Sequence, residues 1–463
     1  MCPVRLEDIA RAVRDTEYAV RGPIVARAQA LGRQGRRIVY CNIGNPQALK
    51  QRPLTRVRQV LALAEYPELL ARVPEGTFPK DVEEVARLVL RESEHGLGAY
   101  TDSKGMRFVR EAVADFIRLR DGVSTDPEAI YLTDGASKGV QAVLRILVAD
   151  ARDGILIPIP QYPLYSASVT LLGGAQLGYR LDEASGWKLS LGALERALEQ
   201  ARADGVRARA IVVINPGNPT GAVLDEENIQ MVLGFAREHR LSVLADEVYQ
   251  EDVYLPGDRF VSFASVLEKR GIRDVSLFSF HSTSKGLLGE CGHRGGYFEC
   301  RNVPDDVLAE ITKLQSITLC ANSVGQVVTY LMVRPPLPGD ASFALHEEER
   351  RGILEALRRK AEIVVRGLNA IEGIACSQVA GAMYAFPRIT LPEGVTDSEY
   401  CLALLEETGI CVVPGSGFGQ APGTWHFRTT ILPPLDEIEE VVKRLAAFHA
   451  SFCLSRGGVQ QAP

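Results

Sequence analysis

Residues 278–296 read Phe278-Ser-Phe-His-Ser-Thr-Ser-Lys-Gly-Leu-Leu-Gly-Glu-Cys-Gly-His-Arg-Gly-Gly296. A single lysine, Lys285, stands among small hydroxyl residues and glycines, directly after the largely apolar run Val275–Phe280. Arg294 follows nine positions later, ahead of two glycines. A lysine so placed can form a Schiff base with an aldehyde when its surroundings lower its pKa. Ser282, Ser284 and Arg294 offer hydroxyls and a guanidinium fork that suit phosphate oxygens. A ligand carrying both an aldehyde and a phosphate is pyridoxal phosphate. The same residues also allow a solvated lysine on a Ser/Gly loop, and Ser-x-x-Lys occurs in serine acyl-transfer enzymes. The rest of the chain has to decide between them.

Outward from this stretch, apolar runs alternate with helical patterns over 130–300. The runs are Ile130–Thr133, Gly154–Ile159, Ala175–Leu181, Ala210–Asn215, Ser242–Ala245, Val275–Phe280 and Gly295–Glu299. Amphipathic stretches such as Ser137–Val148, Leu191–Ala203 and Glu226–His239 lie between them. Short apolar runs with intervening helices predict an α/β domain around a seven-stranded, mostly parallel sheet. Such sheets place ligands at the carboxyl ends of their strands. Further on, 340–369 predicts a long helix, Met383–Ile389 and Ile410–Val413 short strands, and Leu435–Phe452 a last helix. These make a second, smaller α+β domain. The first 95 residues show helical pieces (Leu6–Val13, Leu54–Ala64, Asp81–Arg91) and no core of their own. The expected division is an N-terminal arm with part of the small domain (1–95), a large domain (96–335), the C-terminal small domain (336–455) and a frayed tail (456–463).

Composition narrows the function classes. At roughly 100–200 residues per domain, 463 residues make two or three domains. A net charge of −6 without a basic block argues against nucleic acid or an anionic membrane as main partner. Nine scattered cysteines, never in Cys-x-x-Cys, argue against a disulfide scaffold or zinc ribbon and fit a reducing compartment. Cys291-Gly-His293 lacks a second Cys/His pair, so no metal site is expected. The acidic residues of the first thirty positions do not suit a leader peptide, and no apolar run approaches the ~18 residues of a membrane span. The expected location is cytoplasmic.

Residues at the predicted strand ends form a constellation. Ile130-Tyr-Leu-Thr-Asp-Gly-Ala-Ser passes through Gly135 into a helix, where the amides of Ala136 and Ser137 can hold an anion; a plain Ser N-cap would read the same way. Ala210-Ile-Val-Val-Ile-Asn-Pro-Gly-Asn-Pro-Thr-Gly ends in two Asn-Pro turns that aim Asn218 above the sheet. Asp246 closes an apolar run, where an unpaired carboxylate is costly. A protonated pyridine nitrogen would answer it. Glu247 alternates to the opposite face and reads as half of a structural ion pair. Tyr249 can reach the ligand that Asp246 meets. Asn218, Asp246 and Lys285 are 28 and 39 residues apart, each about one strand–helix unit. Gly415-Ser-Gly-Phe-Gly lacks the βαβ context of a dinucleotide loop and reads as a tight turn.

In these motifs the chain closely resembles the class I/II pyridoxal-phosphate aminotransferases of fold type I, and within them the alanine branch. The likeness runs from about residue 5 to 450. It rests on Cys41-Asn-Ile-Gly-Asn-Pro-Gln, Gly98-Ala-Tyr-Thr-Asp-Ser-Lys-Gly, Asp134-Gly-Ala-Ser-Lys-Gly-Val, Ile159-Pro-Gln-Tyr-Pro-Leu-Tyr and Asn215–Gly221. Ser282–Tyr297, Gly381-Ala-Met-Tyr-Ala-Phe-Pro, Val413-Pro-Gly-Ser-Gly-Phe-Gly-Gln and His426-Phe-Arg-Thr-Thr-Ile-Leu-Pro complete it.

The resemblance implies roles. Lys285 would carry the cofactor, pyridoxal 5'-phosphate, and shuttle the proton. Asp246 would pair with the pyridine nitrogen, Asn218 and Tyr249 would bond the phenolic oxygen, and Tyr162 would stack on the ring. Ala136, Ser137, Ser282 and Arg294 would bind the phosphate, with Tyr100 reaching it from the other subunit of a homodimer. Arg428 would hold the substrate α-carboxylate, and Gly44 would line the substrate pocket. The implied reaction is transamination between L-alanine and 2-oxoglutarate, with another small-amino-acid aminotransferase (glutamate–glyoxylate, for instance) or a lyase of the same fold as rivals. The chain departs from the expected pattern at Leu287 and His293, where tyrosines are expected, and at Arg56 and Val57, where aromatics are expected.

Overall fold

The computed structural model of the chain describes residues 4–457. Seven strands form one sheet: β1 (Ile130–Leu132), β2 (Asp153–Ile159), β3 (Ala175–Arg180), β4 (Arg207–Ile214), β5 (Ser242–Asp246), β6 (Leu277–Ser282) and β7 (Gly296–Arg301). Their spatial order is β1-β7-β6-β5-β4-β2-β3. β7 alone runs against its neighbours, pairing antiparallel with β1 and β6, while the other pairings are parallel. All seven expected strands form, each within three residues of its expected ends. β6 continues two residues beyond its apolar run, because His281 and Ser282 still pair, with Tyr297 and Gly296.

The strands read as near-continuous apolar runs because both faces of the sheet are covered. On one face Leu156, Ile211, Val213, Val243, Ala245 and Leu277 pack under the helices Leu191–Ala203, Glu226–Glu238 and Phe263–Lys269. On the other, Ile155, Val212, Leu244, Phe278, Phe280 and Phe298 pack under the helices Ala136–Leu147, Leu164–Leu171 and Asp305–Ile317. At ~25 cal/mol per Å² of apolar surface, burial of this extent dominates the stability of the layers.

The C-terminal part packs the helices Phe343–Asn369, Asp397–Thr408 and Leu435–Ser455 on short strands around Trp425–Thr430. The expected strand over Met383–Ile389 is broken into Tyr384–Ala385 and Arg388–Ile389, with Phe386 and Pro387 between them; proline cannot donate to a ladder. The N-terminal segment divides. Val39–Tyr40 pairs in parallel with Ile410–Cys411 in the small domain. Contrary to the expectation that this whole segment packs on the small domain, the helices Thr55–Glu65 and Lys80–Glu92 have their core elsewhere, although Thr55 bonds Glu349 and Asp81 accepts from Ser342 of that domain. They share a core with the helices Arg107–Asp121 and Ser323–Val333 of the large domain. The apolar faces of both helices were legible, but a face does not name its partner. Of the expected frayed tail, 458–463 lie outside the described residues. No helix among those described is long and apolar enough to cross a membrane.

Candidate active site

Register brings the strand ends level. Ile214, Asp246 and Phe280 are cross-strand partners in sequence, as are Ser282 and Gly296. Above that edge lies a cavity of about 460 Å³, closed on the other side by Tyr18, Val20, Gly44, Tyr384 and Arg428. It is lined by Ala136, Ser137, Tyr162, Asn218, Asp246, Tyr249, Ser282, Lys285 and Arg294 as well. Every site residue expected from the sequence is therefore in one cavity, except Tyr100. That residue is 79% exposed and lies outside the cleft of its own chain.

One end of the cavity is an anion cup. The Ala136–Leu147 helix begins after Gly135, whose φ of 82° is one that side chains resist. Gly135 is the N-cap and no side chain caps the helix, so Ser137 is not the plain cap that the sequence also allowed. A Cβ on Gly135 would meet Arg294 Nη2 at 2.6 Å. Arg294 crosses there to donate to the Asp134 carbonyl (2.8 Å), the Cys291 carbonyl (3.1 Å) and Ser284 Oγ (3.3 Å). Ser282 Oγ accepts the Ser284 amide at 3.2 Å. Free amides at a helix start, two hydroxyls and a guanidinium are donors of the kind that suit phosphate oxygens.

The floor carries Asp246, fully enclosed at 4% exposure. Tyr165 donates to its Oδ2 at 2.7 Å, while Oδ1 has no hydrogen-bond partner. Burial pushes its carboxyl up to about 6, opposed by Tyr165, the Val248 amide and Lys285. A buried carboxylate oxygen without a donor is costly, and a cationic ring N–H supplies what it lacks. Glu247 does alternate to the other face, but without the expected direct ion pair. It accepts the Phe263 amide (2.8 Å) and Ser279 Oγ (2.5 Å) near Arg120, and burial raises it to about 7.

Lys285 Nζ donates to the Gly44 carbonyl at 2.9 Å, at the centre of the cavity. Gly44 has no room for a side chain: a Cβ would stand 2.1 Å from Tyr384 Oη and 3.5 Å from Lys285 Nζ. Tyr384 is enclosed, and although burial alone would raise its pKa, the charges of Lys285 and Arg428 bring it below the ordinary phenol value. Burial lifts Tyr249 and Tyr162 well above theirs.

At the other end Arg428 is 1% exposed, its guanidinium between the rings of Tyr384 (4.2 Å) and Phe418 (4.7 Å). It donates to Asn218 Oδ1 (3.1 Å) and to the Asn42 carbonyl (2.5 Å), and Nε has no partner. A fork held against two rings and still short of acceptors suits a small carboxylate.

Sequence reasoning missed Tyr18, Tyr165 and Tyr384 in this cavity and beneath it. Tyr165 follows Tyr162 by three positions and Tyr384 sits inside a quoted motif, so signals were present for those two. Tyr18 contacts Tyr162 from 144 residues away, and no local pattern announces it. The departures also find their places. Leu287 and Val57 lie in the same buried cluster, and Arg56 is buried beside Asp81. His293 Nδ1 meets Glu290 Oε2 at 2.9 Å, and Cys291 Sγ donates to the Ser284 carbonyl.

Comparison with known proteins gives the class. The sequence profile of aminotransferase class I and II matches residues 71–445, and the chain belongs to that family. It is 50% identical to a probable mitochondrial alanine aminotransferase of Dictyostelium discoideum, over 96% of this chain and 89% of the other. It is 48% identical to human alanine aminotransferase 1, over 96% and 94% of the two chains. It is equally 48% identical to glutamate–glyoxylate aminotransferase 1 of Arabidopsis thaliana, over 95% and 94%. Among solved structures, an alanine aminotransferase from Pyrococcus furiosus superposes with a TM-score of 0.79 at 26% identity, covering 96% of this chain and all of that one.

Proposed function

We propose that this protein is a pyridoxal-phosphate-dependent alanine aminotransferase, converting L-alanine and 2-oxoglutarate to pyruvate and L-glutamate. The observation that carries the reading is the single cavity in which an anion cup, an under-bonded buried carboxylate, a lysine and a ring-clamped arginine meet. Half-identical relatives named for alanine support the choice of substrate.

Ala136, Ser137, Ser282 and Arg294 would hold the phosphate, Asp246 the ring nitrogen, Asn218 and Tyr249 the phenolic oxygen, and Tyr162 the ring face. When bound, the cofactor supplies an electron sink for the carbanion formed at the amino acid's α-carbon. The chain's own residues do the rest. Arg428 fixes the α-carboxylate with two parallel N–H bonds and so orients the α-hydrogen. Lys285 Nζ takes that proton and returns it on the other side of the reaction. Gly44 leaves space for both while its carbonyl holds Nζ in place. Tyr384 and Phe418 keep water from the Arg428 guanidinium. The working unit is a homodimer, in which the exposed Tyr100 reaches the cup of the neighbouring subunit.

The test is the visible absorbance of the purified holoprotein. L-alanine should remove the yellow band and 2-oxoglutarate should restore it, with parallel initial-rate lines as covalent ping-pong turnover requires. A yellow protein indifferent to alanine would move the donor to another amino acid. A protein that cannot be loaded with pyridoxal phosphate would end the reading. The second reading, suggested by the 48% identical glutamate–glyoxylate enzyme, would hold if glyoxylate restored the band far faster than 2-oxoglutarate.

A further inference from the structure

We propose that His426 is a positioning residue for the substrate carboxylate: its ring ties the strand that carries Arg428 to Glu183 of the large domain. The inference rests on the reading of Arg428 as the α-carboxylate site and adds what holds that arginine's strand in place.

His426 lies two positions before Arg428 in Trp425–Thr430, so the two side chains leave the strand on one face. It is 1% exposed, and both ring nitrogens are engaged. Nδ1 meets Gln420 Oε1 at 3.1 Å, and Nε2 meets Glu183 Oε1 at 3.2 Å. The Gln420 amide is oriented by Asp397, whose Oδ2 accepts from Gln420 Nε2 at 2.9 Å and from the Ser416 amide at 2.6 Å. The ring therefore faces an amide oxygen on one side and a carboxylate on the other. Acceptors on both sides are satisfied together only by a ring with N–H on both nitrogens. Phe386 covers its face, with centroids 4.8 Å apart and planes 2° apart, and Trp187 meets it edge-on at 5.8 Å.

The tie spans the two domains. Glu183 opens the short 3-10 turn Glu183–Ser185, just after β3 of the large sheet, while Asp397 and Gln420 belong to the small domain. Two more bonds cross close by, from the Gln161 amide to the Phe418 carbonyl (2.8 Å) and from Arg180 to the Gln420 carbonyl (3.4 Å). Both end on the turn ahead of the strand, whereas His426 is in the strand itself. The ring also reaches Arg428 through aromatic contacts. Phe386, stacked on His426, meets Phe418 edge-on at 5.8 Å, and Phe418 is one of the two rings against the Arg428 guanidinium.

A preset strand spares the substrate an ordering cost. With the tie intact, the fork of Arg428 already stands over the cavity, and a carboxylate meets it without fixing the strand first. Without it, that ordering is charged to binding and one N–H of the buried ring loses its acceptor. The loss then falls on the binding of every carboxylate substrate and spares the chemical step.

The experiment compares Glu183→Ala, His426→Phe and the double variant with the wild-type holoenzyme. His426→Phe keeps a ring against Phe386 and removes both bonds. Glu183→Ala, at a side chain 31% exposed, removes one bond and leaves the core alone. Each should raise the KM for L-alanine and the dissociation constant of propionate, an unreactive carboxylate, about tenfold, as for one charge-assisted bond lost. The kcat should stay within about twofold, and affinity for pyridoxal phosphate should be unaltered. Glu183→Gln, which still accepts from the ring, should be milder than Glu183→Ala. The double variant should lose no more than His426→Phe alone. Losses that add, cofactor affinity falling in step, or variants that are less stable to heat yet bind propionate as the wild type does overturn the tie and leave the proposed function standing. A wild-type holoenzyme that neither binds propionate nor reacts with L-alanine overturns both.

Discussion

Tyr165 donates a 2.7 Å hydrogen bond to Asp246 from beneath the cavity floor, and among the described side chains it alone steadies that carboxylate by a hydrogen bond. Asp246 is raised to about 6 by burial, so it gains a proton as the pH falls through about 6. The charged form is the one that answers a cationic ring nitrogen. Affinity of the apoprotein for pyridoxal phosphate should therefore weaken below about pH 6. Tyr165→Phe should move that midpoint upward by about one pH unit, the effect of losing one bond to a charged group. Fluorescence titration of the cofactor between pH 5 and 8 checks it, and an unmoved midpoint would count against the link.

The same carboxylate sets a stability prediction. Its folded value lies above its ordinary 3.8, so the folded state binds the proton more tightly than the unfolded chain. Stability is then lost as pH rises from about 4 to 6 and stays lower above that. A gap of about two pH units is worth about 3 kcal/mol. Asp246→Asn should make the apoprotein more stable at pH 8 by up to about that much, with the advantage gone near pH 4, while transamination collapses. Urea midpoints at the two pH values provide the comparison.

Gly44→Ala should displace Tyr384, because the new methyl would stand 2.1 Å from its hydroxyl and 2.9 Å from Cζ. Overpacking costs about 1–3 kcal/mol, and here it falls on a residue that touches Arg428 and approaches Lys285. A drop of at least about tenfold in kcat/KM is expected. Tyr384→Phe removes the nearer atom, so the double variant should lose less than the two single losses combined. Strict additivity in that cycle would refute the steric account.

Arg428→Lys keeps the charge but gives up the fork and the guanidinium contacts with the Tyr384 and Phe418 rings. KM should rise about 100-fold for amino and oxo acids alike, as for a lost bidentate carboxylate bond. The cofactor spectrum of the resting protein should be unaltered.

Glu290 ties the cofactor loop to the N-terminal segment. It is 2% exposed and takes Arg58 Nη2 at 3.0 Å and His293 Nδ1 at 2.9 Å, and the same Arg58 nitrogen donates to Gln47 Oε1. Glu290→Gln weakens a clamp one turn away from Arg294. Cofactor dissociation, followed by dialysis and absorbance, should quicken about tenfold, as for one charge-assisted bond lost. Arg58→Lys should be milder than Arg58→Ala; the reverse order would show that the charge is not what holds the loop.

The sheet and most of the cavity were legible because each rests on a local pattern. Buried parallel strands read as apolar runs, and Asp246 betrays itself as a charge that ends one. What escaped was set by distance along the chain. Nothing near Tyr18 signals Tyr162, and nothing in the faces of the Thr55–Glu65 and Lys80–Glu92 helices says which domain they cover. Ser282 and His281 lay beyond the apolar run, yet backbone pairing with Gly296 and Tyr297 keeps them in the strand. Hydropathy senses burial of side chains and is blind to that kind of bond.

The reversed strand β7 has a consequence for how the chain is made. β1 joins the sheet only through β7, by pairing Ile130–Leu132 with Tyr297–Glu299. The two halves of the anion cup, at Ala136 and at Ser282–Arg294, are likewise brought together from far apart in the chain. During synthesis the first half must wait for about 160 further residues to leave the ribosome, on the order of ten seconds or more at translation speed. Until then its glycine-bound helix start has no arginine over it. The Ala136 half of the cavity therefore stands without its Ser282–Arg294 half throughout that interval, and the two meet only when β7 pairs with both β1 and β6.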